Sequence, residues 1–177
     1  MRTQFEMLRV LVVEDTGPML KLLIYVLESI GIKKVTSCTS AESAFREFRN
    51  NEFDLVITDW AMEPMSGLDL ARKIRKSALS PNKVVPIILV TSYSSKENVQ
   101  KARDEGITEF LVKPFTASDL AKRIAYVMEH PRRFVKSGEF FGPDRRRKDR
   151  LTSQYKGALR REGDQYLQKD IDIDFLK

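Results

Sequence analysis

The apolar positions of this chain follow two alternating rhythms. Arg9-Val-Leu-Val-Val13, Leu55-Val-Ile-Thr58 and Pro86-Ile-Ile-Leu-Val90 are short, unbroken, largely β-branched runs. Runs of that length and continuity read as strands covered on both faces, as in a parallel sheet. Val35-Thr-Ser-Cys38 and Glu109-Phe-Leu-Val112 are less apolar and are predicted nearer the sheet edges. Between the runs the period lengthens to that of a helix. Leu20, Leu23, Ile24 and Leu27 share one face of a predicted helix over 19–30, with Gly31 at its stop. A second helix is predicted over 40–50, opened by the capping Ser40, with Ala44, Phe45 and Phe48 on one face. Segments 68–76, 96–105 and 116–129 complete the set, and Gly106 stops the fourth. Five strands alternating with five helices predict an α/β fold, a doubly wound five-stranded parallel sheet. The turns after strands one, three and four then meet at the carboxyl edge, where such folds bind ligands.

The pattern ends at His130-Pro131, which closes the fifth helix. This divides the chain into a folded body, 1–129, and an extension, 130–177. The extension has few large apolar residues. It is predicted to be a largely irregular, loosely docked tail with a short helix around 152–159.

Composition sharpens the division. Of 177 residues, 42% are hydrophobic and 32% charged, a globular composition and not a disordered one. No apolar run approaches the roughly 20 residues that span a bilayer, so no membrane insertion is expected. The opening Met-Arg-Thr-Gln-Phe-Glu lacks the apolar core of a secretory signal, and a cytoplasmic protein is expected. A single cysteine, Cys38, excludes an internal disulfide and a multi-cysteine metal site, and reads as a small core residue. The net charge of +6 is unevenly placed. The body holds 18 basic against 17 acidic residues, the extension 13 against 8, and residues 132–150 alone hold 8 against 3. A near-neutral body with a basic appendage predicts an anionic partner for the appendage.

The chemistry gathers at strand ends. Glu14-Asp15 follows strand one, Asp59 ends strand three, Thr91 ends strand four, and Lys113-Pro114 ends strand five. Three carboxylates at one sheet edge repel one another and call for a cation. A hard ion such as Mg²⁺ suits an all-oxygen site, and Lys113 adds a further positive charge. An acidic pair after a strand is by itself usually a helix cap or a solvated turn. The combination at four strand ends is what carries weight.

Taken in order, Val-Val-Glu14-Asp15, Thr58-Asp59-Trp-Ala-Met62, Met65-Ser-Gly67-Leu, Val90-Thr91-Ser and Phe110-Leu-Val-Lys113-Pro114-Phe115 resemble the receiver domain of bacterial two-component response regulators. The resemblance covers roughly residues 7–129. It implies a flavodoxin-like fold in which Asp59 takes a phosphoryl group from a histidine kinase or phosphotransfer protein, by in-line attack on phosphohistidine. It implies that Asp15 and Asp59 hold Mg²⁺ directly, Glu14 through water, and that the Ala61 carbonyl is the remaining protein ligand. Mg²⁺ and Lys113 would neutralise the phosphoryl oxygens. Thr91 would turn its hydroxyl onto the phosphoryl group and Phe110 would be the switch aromatic. The Lys113-Pro114 bond is expected to be cis. No enzymatic activity is expected beyond self-phosphorylation and autodephosphorylation.

Two departures stand out. Glu63 occupies the place after Met62 where the family usually has proline, and Pro64 follows it. Ala61 and Tyr93 flank the phosphoryl position, and neither readily orients an attacking water. Trp60 reads as a partly exposed loop aromatic and His130 as a surface or capping residue.

The extension has no room for a winged helix-turn-helix, so no DNA-binding domain is expected. Its informative segment is Phe140-Phe-Gly-Pro-Asp-Arg-Arg-Arg-Lys-Asp-Arg150. Clustered arginines offer planar, bidentate donors to phosphates and guanine edges. Arg146 and Asp149 stand three apart, as do Arg161 and Asp164, a spacing that lets each pair grip a guanine. Arg145, Arg147 and Arg150 are further candidate contacts, and Phe140, Phe141 or Tyr155 offer stacking. The string resembles the arginine-rich extension of chemotaxis-type, single-domain receivers that bind cyclic di-GMP and act at the flagellar motor. Three readings of the segment stay open: a solvated basic tail, a cyclic di-GMP site, and a sequence-independent nucleic-acid contact. The alternative for the whole protein is a phosphorylation-controlled adaptor or phosphorelay sink. Its tail would dock on a protein or nucleic acid and bind no second messenger.

Overall fold

A computed structural model gives the fold, and the structure describes residues 5–144 together with the backbone of 165–167. Five strands alternate with five helices. They are β1 (Arg9–Val13), α1 (Gly17–Ser29), β2 (Lys34–Cys38), α2 (Ala41–Asn50) and β3 (Leu55–Asp59), then α3 (Gly67–Lys76), β4 (Ile87–Thr91), α4 (Lys96–Asp104), β5 (Glu109–Val112) and α5 (Ala117–Glu129). The sheet order is β2-β1-β3-β4-β5, with every neighbouring pair parallel. The two less apolar runs are the edge strands, as their composition predicts.

Successive side chains of a strand point to opposite faces, so each continuous apolar run feeds two cores. Leu11, Val13, Val56, Ile87 and Leu89 pack with Phe45 and Phe48 of α2 and Leu70 and Ile74 of α3. Val10, Val12, Ile57, Ile88 and Val90 pack with Leu23 and Leu27 of α1 and Leu120 and Ile124 of α5. Burying each such side chain contributes about 1.5–3 kcal/mol. Local chemistry starts the helices. Ser40 caps α2 by accepting from the Ser43 amide, and Ser66 with Asp69, like Thr116 with Asp119, forms a reciprocal capping box. Among the described residues no helix is long and apolar enough to cross a membrane.

The extension departs from expectation. Its first part is not irregular but forms an antiparallel hairpin, β6 (Phe134–Ser137) with β7 (Phe140–Pro143), and β8 (Gln165–Leu167) pairs on the other side of β6. Gly138 takes φ +57° at the turn, the conformation that tight hairpins demand of their first central residue. Phe134 and Val135 are buried. The hairpin borrows its core from the body. The Arg75 guanidinium lies 4.8 Å from the centre of the Phe134 ring, and Arg132 donates to the carbonyls of Thr108 and Asp144. This contact lies at the amino edge of the sheet, opposite the carboxyl ends of the strands. The helix expected around 152–159 lies outside the described residues.

Candidate functional site

Strands β1, β3, β4 and β5 deliver Glu14, Asp59, Thr91 and Lys113 to one edge. Asp59 is 5% exposed. Its Oδ1 accepts from Lys113 Nζ at 2.6 Å and its Oδ2 accepts from the Ala61 amide at 2.7 Å. Lys113 Nζ also donates to Glu14 Oε2 at 3.2 Å, so one ammonium bridges two carboxylates. Burial alone would lower the Lys113 pKa. The hydrogen bond and charge of Asp59, joined by those of Glu14, outweigh it and hold the ammonium above its ordinary value. Glu14 is buried, and its other oxygen accepts from the Thr16 amide at 3.1 Å and from the Thr16 hydroxyl.

Asp59 faces a cavity of about 130 Å³ lined also by Trp60, Ala61, Thr91, Ser92, Tyr93 and Lys113. The hydroxyl of Thr91 accepts from the Tyr93 amide at 2.8 Å. Trp60 and Tyr93 meet edge to face at 5.5 Å and form one wall. Phe110 is half-buried and packs against the core on the α2 and α3 side. The Lys113-Pro114 bond is cis, as the resemblance implies, and Glu63-Pro64 is cis as well.

Asp15 is exposed, with the Thr16 hydroxyl 3.5 Å from its Oδ1. Lys113 thus draws Glu14 and Asp59 together while Asp15 stays at the rim. Among the described residues no three Asp, Glu, His or Cys side chains converge to hold a metal. The donor set nonetheless fits Mg²⁺, which keeps several waters and takes one or two carboxylates. Asp15, Asp59 and the Ala61 carbonyl are all hard oxygen donors. The nucleotide-binding candidates Arg145, Arg146, Arg147, Asp149, Arg150, Arg161 and Asp164 lie outside the described residues.

Sequence reasoning missed Thr16 and, although Gly67 stands in the Met65-Ser-Gly67-Leu motif, did not state what it touches. Thr16 holds the second oxygen of Glu14, a contact between near neighbours that no periodicity reports. Gly67 lies against the nucleophile's own backbone: a Cβ there would stand 1.9 Å from the Asp59 carbonyl oxygen and 3.0 Å from Thr58 Oγ1. The signal was present as a glycine at the first helical position, directly after a capping serine.

This fold, with a buried aspartate between a lysine ammonium and a backbone amide at the carboxyl edge, is that of a flavodoxin-like receiver. The family model described as response regulator receiver domain matches residues 10–125, and the chain belongs to that family. Among its relatives, chemotaxis protein CheY-3 of Vibrio cholerae is 29% identical over 122 residues, covering 69% of this chain and 92% of the relative. Chemotaxis protein CheY of Pseudomonas aeruginosa is 29% identical over 122 residues, covering 69% and 97%. Among solved structures, V. cholerae CheY4 superposes with a TM-score of 0.63 at 28% identity, over 68% of this chain and 98% of that one. The receiver domain of the Arabidopsis thaliana histidine kinase CKI1, complexed with Mg²⁺ and BeF₃⁻, gives 0.62 at 27% identity, over 72% and 96%.

Proposed function

We propose that this chain is a single-domain response regulator whose Asp59 accepts a phosphoryl group from a histidine kinase or phosphotransfer protein. The observation that carries this reading is the state of Asp59, a nearly buried carboxylate held by Lys113 and the Ala61 amide and open to a small cavity. In the reaction a carboxylate oxygen of Asp59 attacks the phosphorus of phosphohistidine. The O–P bond forms as the N–P bond breaks, and the bonding pair leaves on the imidazole nitrogen, which takes up a proton. Asp15, Asp59 and the Ala61 carbonyl, with Glu14, would hold Mg²⁺, which supplies positive charge for the phosphoryl oxygens. Lys113 keeps a second cation beside the same oxygens. Thr91 gives up the Tyr93 amide for a phosphoryl oxygen, and Phe110 turns with it to change the outer surface. The protein catalyses nothing beyond its own phosphorylation and dephosphorylation. Transfer from a phosphorylated histidine kinase to wild type, with none to Asp59→Asn, is the expected result.

The second element of the proposal is that the arginine-rich tail binds cyclic di-GMP and directs the protein to flagellar motor or other motility targets. The Gly-Pro-Asp-Arg-Arg-Arg string and the chemotaxis names of the relatives support it. The test turns on a sign. If the tail is a plain polycation, Asp149→Ala removes a repulsive charge and strengthens binding. If Arg146 and Asp149 clamp a guanine, Asp149→Ala weakens it by about 1–3 kcal/mol. Calorimetry on the full chain should show weakening in both Arg146→Ala and Asp149→Ala. Tighter binding by Asp149→Ala would leave the tail as a docking segment without a second messenger.

A further inference from the structure

The N-cap residues of α2, α3, α4 and α5 do one job. Ser40, Ser66, Ser95 and Thr116 each accept, through the side-chain oxygen, from the amide of the third residue on. That bond satisfies one of the donors a helix start leaves unmatched. Thr16 stands at the same position of α1 and is of a favoured capping type, yet its side chain makes no capping bond. Its hydroxyl donates instead to Glu14 Oε1, and its amide donates to the same oxygen at 3.1 Å. The first helix thus forgoes a side-chain cap, and the hydroxyl is turned toward the site.

Glu14 has a geometric need for that hold. It is 1% exposed, and its Oε2 accepts from Lys113 Nζ at 3.2 Å. Asp59 Oδ1 accepts from the same ammonium at 2.6 Å. An ammonium carries three donors and no fixed plane, so a glutamate free to rotate could turn both its oxygens onto it. Lys113 would then be drawn from the nucleophile toward Glu14. With Oε1 taken by Thr16, Glu14 keeps one oxygen for Lys113, and Asp59 holds the shorter contact. The amide bond of Thr16 survives any side-chain change, so the hydroxyl is the part of this hold that a substitution can remove.

We propose that Thr16 is a positioning residue for the phosphoryl site, its hydroxyl fixing the Glu14 carboxylate so that Lys113 stays on Asp59 and Glu14 stays placed toward the metal. This rests on the reading of Asp59 as the phosphoacceptor. The test is a Mg²⁺ titration of the full chain, followed by calorimetry and by the fluorescence of Trp60, the single tryptophan, which lines the Asp59 cavity. Thr16→Val keeps the branched shape and removes the hydroxyl. Measured where the variant is folded, it should bind Mg²⁺ about tenfold more weakly, the lower end of the loss expected when a metal ligand's partner is removed. Thr16→Ser keeps the hydroxyl and should bind as wild type. A role in helix stability alone would lower the Tm of Thr16→Val and leave the Mg²⁺ affinity of the folded protein unchanged. That result, or Thr16→Ser as weak as Thr16→Val, would overturn the proposal. Acetyl phosphate separates the two possible failures. A wild type that takes no phosphoryl group on Asp59 would overturn the reading of the site and this proposal with it. A wild type phosphorylated on Asp59, beside a Thr16→Val chain that binds Mg²⁺ equally well, would overturn the positioning role alone.

Discussion

Replacing Gly67 with alanine puts a methyl group where the Asp59 carbonyl stands. The new Cβ would lie 1.9 Å from that oxygen, and real Cβ contacts essentially never fall below 3.0 Å. The first turn of α3 or the end of β3 must therefore withdraw by about 1 Å. Neither can yield by rotating a side chain. The obstacle is backbone, the Gly67 amide donates to the Trp60 carbonyl at 3.1 Å, and the Ser66–Asp69 box pins the turn. Overpacking of this kind costs typically about 1–3 kcal/mol and more where the surroundings are stiff. The helix preference of alanine over glycine returns at most about 1 kcal/mol. With the cost at the upper end, a net loss of about 2 kcal/mol is expected, or about 4–8 °C in Tm for a domain of this size. Chemistry should suffer beyond stability, because a 1 Å misplacement of reacting groups can cost on the order of 100-fold in rate. The assay pairs thermal melting by circular dichroism with acetyl phosphate phosphorylation at a temperature where the variant is folded. A Tm and a phosphorylation rate both equal to wild type would refute the reasoning.

Ser66→Ala removes the hydroxyl that accepts from the Asp69 amide and donates to its carboxylate, and should cost about 1 kcal/mol in urea melts. The Ser66 hydroxyl also holds the Asp69 carboxyl below its ordinary pKa, so that contribution is complete above the normal carboxylate range and is lost as pH falls through the lowered folded value. The gap between wild type and variant should narrow in acid; a gap that widens would contradict this. Arg75→Met withdraws two donors and the stacking partner of Phe134, although it also removes a guanidinium whose pKa burial pushes down to about 9. Hydrogen exchange at the β6 and β7 amides should speed up while that of β1 and β3 changes little. Unchanged hairpin exchange would show that Arg75 does not hold it. Asp15→Ala should lose most of the Mg²⁺-induced rise in Tm, and an undiminished rise would place the ion elsewhere.

The three inner strands were legible because a parallel strand buried on both faces needs an unbroken apolar run, and Val10–Val13 or Ile87–Val90 can serve little else. The edge of the site was legible for the same reason, since strand ends determine where Asp59, Thr91 and Lys113 arrive. What the chain did not disclose depends on side-chain direction and on distant cover. Asp15 follows Glu14 directly, yet one is exposed and the other buried against Lys113, a distinction that spacing does not encode. Arg75 is a basic residue in the last turn of α3. It is buried because the hairpin, from the far end of the chain, closes over it. The hairpin itself escaped notice because four-residue strands with two or three apolar side chains have no core of their own. Phe134 finds cover against Arg75 of α3, and β7 lies close to Gly106.

The most direct test of the account is the covalent fate of Asp59. The full chain is incubated with acetyl phosphate and Mg²⁺ and mapped by tandem mass spectrometry after trapping of the acyl phosphate, alongside Asp59→Asn, which keeps the shape and loses the nucleophilic charge. One phosphoryl group is expected, on Asp59, in the wild type and none in the variant. Modification at another residue, or equal modification of Asp59→Asn, would contradict it.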